Sequence, residues 1–573
     1  PYPRRKKFGL ARAARHAAMA PHSRGASLAC LVCLAGCVDA AALLADNMTC
    51  EDASGRSGPC GPGREFCGDA FAAAPAYHLV DRRGCGENDP NGPVFDPVHG
   101  VVHHFYQAHL ARPGGHGPVY GHFASKDLVH WAALPVALWN GLDAATGAAT
   151  AYDAVAVFTG SAVVVEGAGP GGAPGVVQIY PGLCTSAGPG AWPACGTGTV
   201  LAHAVPADYA GDALLINWTK PAYNPVAENA TRDPSAPWKD ARTGEWRLRT
   251  FDATVYGAAS DADLVAGKWY PMGKAADLRP CECPSFYPLP PPTNGSRPPA
   301  GGSALPTHVH KTSCGGDWWQ AGTYAGSEPG ELGTFRPTPG WEDLYEQRKI
   351  DAGDFYASKD GDYPVRGSTA RRRINWGWAT VPPASAQSLP REVTFNAEAR
   401  ALEQAPIAEV ATLRAAAVVG ATVALRAGEA HVAGVTAAVL WQSEVLVTFR
   451  LPAAAANFTV RVAATDCVVA YAPPADASAA FYDVPVACGG ARDTLRVLTR
   501  ERDVALRVFV DWTFVEVFFQ HGRVAITKTT VLDDAATLTL SSTADVAAHL
   551  TIFPIGSIWV TPEEVRNATR VFK

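Results

Sequence analysis

The chain has 573 residues, 47% of them hydrophobic and 18% charged, a balance that excludes a disordered chain and supplies a sizeable core. Lys and Arg number 48 against 54 Asp and Glu, for a formal net charge of −6. With no long basic run to neutralise phosphates, this excludes a nucleic-acid partner. Gly at 55 and Pro at 46, against only three Met, favour turns and short strands over long helices, so the expected fold class is all-β.

Arg4, Arg5, Lys6 and Lys7 open a basic stretch, an apolar run follows from Leu28 to Ala35, and the small-residue sequence Val38-Asp39-Ala40 closes it. Residues 1–40 read as a secretory signal or leader. They hold seven basic residues and one acid, so the remainder carries 41 basic against 53 acidic residues, a formal net charge of −12. That suits a soluble extracellular protein, and no later stretch is apolar for long enough to insert stably in a membrane once the signal is cleaved. Of 14 cysteines three fall in the leader, and the odd remainder of 11 leaves at least one unpaired. Cys184 with Cys195 and Cys467 with Cys488 each bracket a short loop and are the expected pairs; Cys50, Cys60, Cys67 and Cys85 form a separate cluster around a Cys-containing N-terminal segment, 41–79. Asn-X-Ser/Thr acceptors at Asn47, Asn217, Asn229, Asn294, Asn457 and Asn567 agree with the secretory route.

Short β-rich runs follow at Val101–Tyr106, Ala154–Val165, Gly175–Tyr180, Trp246–Val255 and Trp318–Tyr324, separated by Gly/Pro/Asp turns. This is the texture of a propeller or a sandwich, assigned to a domain over 80–382. Pro288–Gly302 reads as a surface insertion and 383–391 as a linker. In Ala401–Ala427 the alanines favour helix while the Val/Thr content and missing caps oppose it. Leu506–Val510 and Val515–Phe518 then alternate apolar and polar faces, and Gln520-His521-Gly522-Arg523 makes a hairpin turn. Residues 392–573 therefore read as an antiparallel β-sandwich.

Three acids stand beside prolines: Asp89 in Asn88-Asp89-Pro90-Asn91-Gly92, Asp233 in Arg232-Asp233-Pro234, and Glu282 in Cys281-Glu282-Cys283-Pro284. Singly, an Asp-Pro pair is an ordinary turn initiator. Three such sites far apart in a β-rich chain carry more weight, because a propeller brings strand starts from different blades to one funnel.

These motifs, with His104-Phe105-Tyr106-Gln107, Ser125-Lys126-Asp127-Leu128-Val129-His130-Trp131, Phe158-Thr159-Gly160-Ser161, Asp354-Phe355-Tyr356-Ala357-Ser358 and Arg373-Ile374-Asn375-Trp376-Gly377-Trp378-Ala379, resemble glycoside hydrolase family 32 in type and order. That family holds invertases, inulinases, levanases, fructan exohydrolases and fructosyltransferases. The resemblance implies a five-bladed β-propeller followed by a β-sandwich, with the site in the axial funnel. It implies Asp89 as nucleophile on the anomeric C2 of a terminal β-fructofuranosyl unit, Glu282 as acid and then base, and retention of configuration, for which the two carboxyl groups should lie about 5–5.5 Å apart. Asp233 would hold fructose hydroxyls, kept ionised by Arg232. Asn88 and Gln107 would be fructose-binding amides, with Phe158 and Thr159 walling the pocket. The chemistry requires Asp89 charged, its pKa held low by hydrogen bonds, and Glu282 protonated. No metal and no other cofactor is needed; His103, His104, His308 and His310 read as turn or strand-surface residues, not ligands.

The family pattern is broken at three places, where Gly86-Glu87, Cys281 and His116 stand for aromatic residues. If Glu87 and Asp89 share a strand, their two-residue spacing points both to one face, and like-charge repulsion would raise the nucleophile's pKa. The reading that emerges is a retaining glycosidase releasing fructosyl units from sucrose or a fructan, secreted or vacuolar. A fructosyltransferase using the same acids and a non-catalytic fructan-binding protein are its alternatives.

Overall fold

The computed structural model describes residues 49–51, 57–59, 74–112, 117–188, 190–297, 304–326 and 328–572. The leader, Cys60, Cys67 and His116 lie outside them. The described chain is all-β, with only short helices such as Asp261–Val265 and Pro562–Asn567.

Five antiparallel meanders follow one another along the first two thirds of the chain, each running strand to neighbouring strand. The first contains Glu87–Pro90, Val101–Ala108, Val119–Ser125 and Ala132–Leu138. The second runs from Ser161–Val165 to Trp218–Thr219, the third from Trp238–Lys239 to Tyr270–Lys274, and the fourth from Glu282–Pro288 to Thr334–Arg336. The fifth takes Phe355–Pro364, Arg371–Ala379, Arg391–Asn396 and Ala401–Pro406. Strands such as Val101–Ala108 are buried on both faces because every sheet is covered on both sides by its neighbours. Phe105 and Tyr120 share a core with Val176 and Tyr180, Val163 and Ile179 with Leu248, Trp238 and Val255 with Phe286, and Val309 with Val393. The cycle returns to its start, since Ile374 and Trp376 of the fifth sheet pack with Val102 and Phe123 of the first.

Two six-stranded antiparallel sheets follow, and their facing sides share one core that includes Val447, Val508, Val517 and Leu550 from one and Phe458, Val469, Val486 and Leu540 from the other. The ambiguous stretch 401–427 holds the strands Ala401–Pro406 and Val419–Leu425 around a 3₁₀ segment, Ala408–Leu413; sheet pairing overrides alanine's helical propensity. The turn at Gln520–Gly522 joins Phe514–Phe519 to Val524–Thr529 as a hairpin.

Some local readings are corrected. Phe514–Phe519 is buried on both faces: Val515, Val517 and Phe519 enter the sandwich core, while Glu516 and Phe518 press against the meanders. The stretch read as a linker packs closely, with Gln387, Ser388 and Leu389 buried. His103, His104 and His310 are buried within strands and not on strand surfaces; burial drives His103 down to about 4 and His104 to about 3, so both rings are neutral. Cys184–Cys195 and Cys467–Cys488 are bonded, as are Cys50–Cys85 and Cys281–Cys314.

A buried charge network joins the two halves. Arg391 Nη2 donates to Asp351 Oδ2 (2.9 Å), Glu516 Oε1 (2.5 Å) and Thr527 Oγ1 (3.0 Å), and its guanidinium stacks between Phe355 and Phe518. His78 bridges Asp511 and Glu516 at 2.8 and 3.3 Å. Burial opposes a charged imidazole, but Asp511 and Glu516 outweigh it and carry His78 up to about 8; burial also opposes the charged Glu516, but Arg391 and His78 hold it down to about 2.

The His78 contribution is complete below 6.5, the ordinary imidazole value, and is lost as pH rises through 8. The Glu516 contribution is complete above 4.5 and is lost as pH falls toward 2. Melting temperature measured across pH should therefore be highest between about 4.5 and 6.5. Arg391→Met should cost ~3–5 kcal/mol by denaturant unfolding, because it strands two buried carboxylates.

Candidate active site

The sheets begin irregularly where the acids sit. Strand register slips between Glu87 and Pro90, between Glu282 and Ser285, and between Tyr356 and Lys359. Asp233, Cys283 and Ala357 adopt left-handed backbone at φ +59°, +45° and +55°. Such bulges and turns aim side chains off the regular pleat, a local strain that surrounding contacts must hold. Gly92 is one such contact: a Cβ there would lie 2.5 Å from the backbone nitrogen of Ala162, so only glycine lets the Asn-Asp-Pro-Asn-Gly turn approach the second sheet.

The turns gather the acids into one hydrogen-bonded cluster. Gln107 Nε2 donates to Thr159 Oγ1 (2.5 Å), which donates to Asp89 Oδ2 (2.5 Å). Cys283 lends its thiol to the same Asp89 oxygen at 3.4 Å and its backbone N–H to Asp233 Oδ2 at 3.1 Å. Arg232 spans Asp233 Oδ2 (3.0 Å) and Glu282 Oε1 (2.5 Å) while stacking over Phe251, and Tyr356 OH donates to Glu282 Oε2 at 2.7 Å. Of the residues expected from sequence, Gln107, Thr159, Asp89, Arg232, Asp233 and Glu282 therefore meet. Asn88 and Phe158 adjoin the cluster in the chain and are half-buried; what the structure fixes at each is the backbone carbonyl, held by Gln387 Nε2 at 2.8 Å and Tyr120 OH at 2.7 Å.

Burial pushes Asp89 up to about 6. The Thr159 hydrogen bond opposes that rise, Asp233 adds to it, Cys283 opposes it and Glu282 adds to it. The expected low pKa is thus corrected: its hydrogen bonds are present, but desolvation outweighs them. Asp233 is also raised by burial, against the pull of Arg232 and Lys359, so Arg232 does not overcome the desolvation of its neighbour. The Cys283 thiol is pushed well up by burial, Asp89 and Asp233, and stays a neutral donor.

Glu87 does not act on Asp89. The register slip breaks the two-residue alternation, and Glu87 is buried, accepting from Asp81 N (2.5 Å) and Gln387 Nε2 (3.1 Å). Its own pKa is raised by burial and by Asp81, and it anchors the strand start.

Cys283, Tyr356 and two buried lysines complete the site, and sequence reasoning gave them no role. Lys311 Nζ reaches Cys283 O (3.1 Å), Ser313 Oγ (3.0 Å), the Ser358 carbonyl and Asp317 Oδ2 (3.2 Å). Lys359 Nζ donates to Pro234 O (3.1 Å) and Ser161 Oγ (3.3 Å). Each ammonium grips a carbonyl at or just after a left-handed residue. The one signal available was that Cys283, Tyr356 and Lys359 stand inside or beside the motifs quoted for other reasons. Among the described residues no group of three or more His, Cys, Asp or Glu side chains is placed to hold a metal ion.

The family model for the glycosyl hydrolases family 32 N-terminal domain matches residues 86–406, and that for the family 32 C-terminal domain matches residues 409–554. The chain is 30% identical over 409 residues to beta-fructofuranosidase, insoluble isoenzyme 7, of Oryza sativa subsp. japonica, a match covering 66% of this chain and 62% of that protein. It is 31% identical over 395 residues to the cell wall isozyme of beta-fructofuranosidase from Zea mays, covering 64% and 60%. The chain thus spans less than two thirds of these curated relatives. The crystal structure of fructan 1-exohydrolase IIa from Cichorium intybus superposes with a TM-score of 0.64 at 21% identity, covering 86% of this chain and 98% of that one.

The two lysines differ in what they leave behind. Lys311→Met abandons the buried Asp317 and should lower stability by ~3–5 kcal/mol. Lys359→Met abandons a carbonyl and a hydroxyl and removes a cation that favours the buried Asp233 carboxylate, but strands no direct ion-pair partner, and should cost ~1–3 kcal/mol by urea unfolding.

Proposed function

The chain belongs to glycoside hydrolase family 32, and from that premise we propose that it is a retaining β-fructofuranosidase, hydrolysing sucrose or the terminal fructosyl unit of a fructan. The observation that carries this reading is the bonded cluster of Asp89, Asp233 and Glu282, brought from the first strand of the first meander, the loop before the third and the first strand of the fourth, and tied together by Arg232 and Cys283. The five meanders are the blades of a propeller, read from the cyclic order of their shared cores, and the two later sheets are the sandwich. On this reading the propeller runs to about Pro406, because its fifth sheet takes two strands from beyond the proline-flanked stretch.

Thr159 and Cys283 both donate to Asp89 Oδ2, which leaves Oδ1 to attack the anomeric C2. Glu282 gives its proton to the departing oxygen, and a covalent fructosyl ester forms on Asp89. Glu282 then takes a proton from water, whose oxygen attacks C2 from the face opposite the ester, breaks the C2–Oδ1 bond to free the Asp89 carboxylate, and restores the configuration. Arg232 and Tyr356 fix the orientation of the Glu282 carboxyl through both steps. Asp233 is buried with Oδ1 unpartnered among the described residues, an acceptor ready for fructose hydroxyls. Asn88 and Phe158 take the positions of a sugar-binding amide and a pocket wall. The basic and apolar leader, the disulfides and the maize relative's cell-wall description support secretion.

Incubation with sucrose, inulin and levan, with released fructose as readout, tests the reading; no release from any of them overturns it. Asp89→Ala should cut kcat by ~10⁴-fold, and Glu282→Gln by ~10²–10⁴-fold. The acidic limb of kcat/KM should lie near pH 6, where Asp89 loses its proton. Thr159→Val removes a donor that favours the carboxylate and should move that limb to higher pH.

A further inference from the structure

Glu282 stands outside the regular part of its sheet. Its strand pairs Ser285 with Lys311 and stays in that register to Pro288, but the register slips across Cys283, where Glu282 comes to face Ser313. Beyond that pair the ladder has little to offer. Pro280 has no N–H to give, and the neighbouring chain turns through Gly315 and Gly316 at φ +66° and +154°. One pair beyond a bulge is a weak hold on a side chain that must give a proton in one step and take it back in the next.

The next pair outward in the Glu282–Ser313 register is Cys281 with Cys314, and these two are bonded. The bond ties the strand end to an anchored neighbour: Ser313 pairs on its far side with Asp317, and Trp318 Nε1 donates to the Cys314 carbonyl at 3.2 Å. Tyr356 closes the arrangement, its hydroxyl 2.7 Å from Glu282 Oε2 and 3.1 Å from the Ser313 carbonyl. A phenol has one proton to donate. It goes to Glu282 when that carboxyl is ionised; when the carboxyl is protonated, the phenol accepts from it and donates to Ser313. Both steps therefore use one fixed spacing between the Ser313 carbonyl and Glu282, and the covalent bond one residue away sets it. Cys283 has its own anchor, because Lys311 Nζ grips its carbonyl, so the contacts it makes to Asp89 and Asp233 do not depend on the disulfide.

We propose that the Cys281–Cys314 disulfide is a positioning device for the acid and base of the reaction, holding Glu282 against Ser313 and Tyr356 in line with the departing oxygen. The proposal rests on the role given to Glu282 in the functional reading. Cys281 is one of the places where the chain departs from the family pattern, so the device is additional to the three acids.

Two substrates separate a misplaced acid from a damaged site. Sucrose and fructans need the departing oxygen protonated, whereas 4-nitrophenyl β-fructofuranoside expels a nitrophenolate that leaves without a proton. In Cys281→Ala/Cys314→Ala, kcat/KM for whichever of sucrose, inulin or levan the parent cleaves should fall about tenfold or more, and kcat/KM for the nitrophenyl substrate should stay within about twofold of the parent. Cys467→Ala/Cys488→Ala, which opens a disulfide inside the sandwich, should not reproduce that selective loss. If the first variant does not fold, folded parent treated with dithiothreitol gives the same comparison. The dithiol supplies two electrons and two protons, the disulfide becomes two thiols, and the reagent leaves as its cyclic disulfide. Cys314 is half-buried, while the other three disulfides among the described residues are buried at both ends; alkylation and mass analysis identify the bond that opened. The proposal is overturned if the two kcat/KM values fall together, if the natural substrate's does not fall, or if opening Cys467–Cys488 has the same selective effect. A parent that cleaves none of these fructosides overturns the functional reading and this proposal with it, which tells the two failures apart.

Discussion

Glu516 is a carboxylate with no exposed surface, and the assembly of the molecule follows from the need to keep it paired. It projects from the outer face of a sandwich strand and draws Arg391 from the fifth sheet, His78 from the N-terminal segment and the backbone N–H of Leu389 from the proline-flanked stretch within the fifth meander. Removing any partner leaves charge in a medium that solvates it poorly, whereas the full set offsets the desolvation. The network therefore favours the placement of the sandwich on the meanders in which all of these partners are met.

That placement reaches the acids through backbone hydrogen bonds and a few residues of chain. Backbone bonds from Ala352 to Ala525 and from Asp354 to Thr527 continue the sandwich edge into the fifth sheet, and a Cβ on Gly353 would collide with the Thr527 carbonyl. Asp354 is further held by Lys528 and by the N–H of Thr529. Two residues on, Tyr356 touches Glu282. On the other side of the site, Gln387 binds Glu87 and the Asn88 carbonyl, so the segment that leads into Arg391 also sets the start of the strand bearing Asp89. The sandwich is then a support for the geometry of the site, whatever its own contact with substrate.

Within the site, the same low-dielectric surroundings act in two directions. They make Lys311 and Lys359 strong clamps on carbonyls that left-handed turns would otherwise strand, and they raise Asp89 to about 6 despite two hydrogen bonds to its carboxylate. An aspartate at that value is still mostly ionised at neutral pH and is more basic than an exposed one. Cys283 links the two effects: its carbonyl is clamped from below, while its thiol and N–H serve two acids at once.

The sequence by itself determined the all-β class, the family and two disulfides and singled out three acids that meet in the fold, because each is written in local patterns: turn residues, alternation, loop-bracketing cysteines and short motifs around proline. It misjudged Glu87, Glu516 and the buried histidines, because alternation tells which side of a strand a residue takes and not what covers that side. The proton state of Asp89, the clamps of Lys311 and Lys359 and the free thiol of Cys283 were decided only by the tertiary structure. Desolvation and pairing depend on which distant segments close over a group, and that is set when the sheets pack.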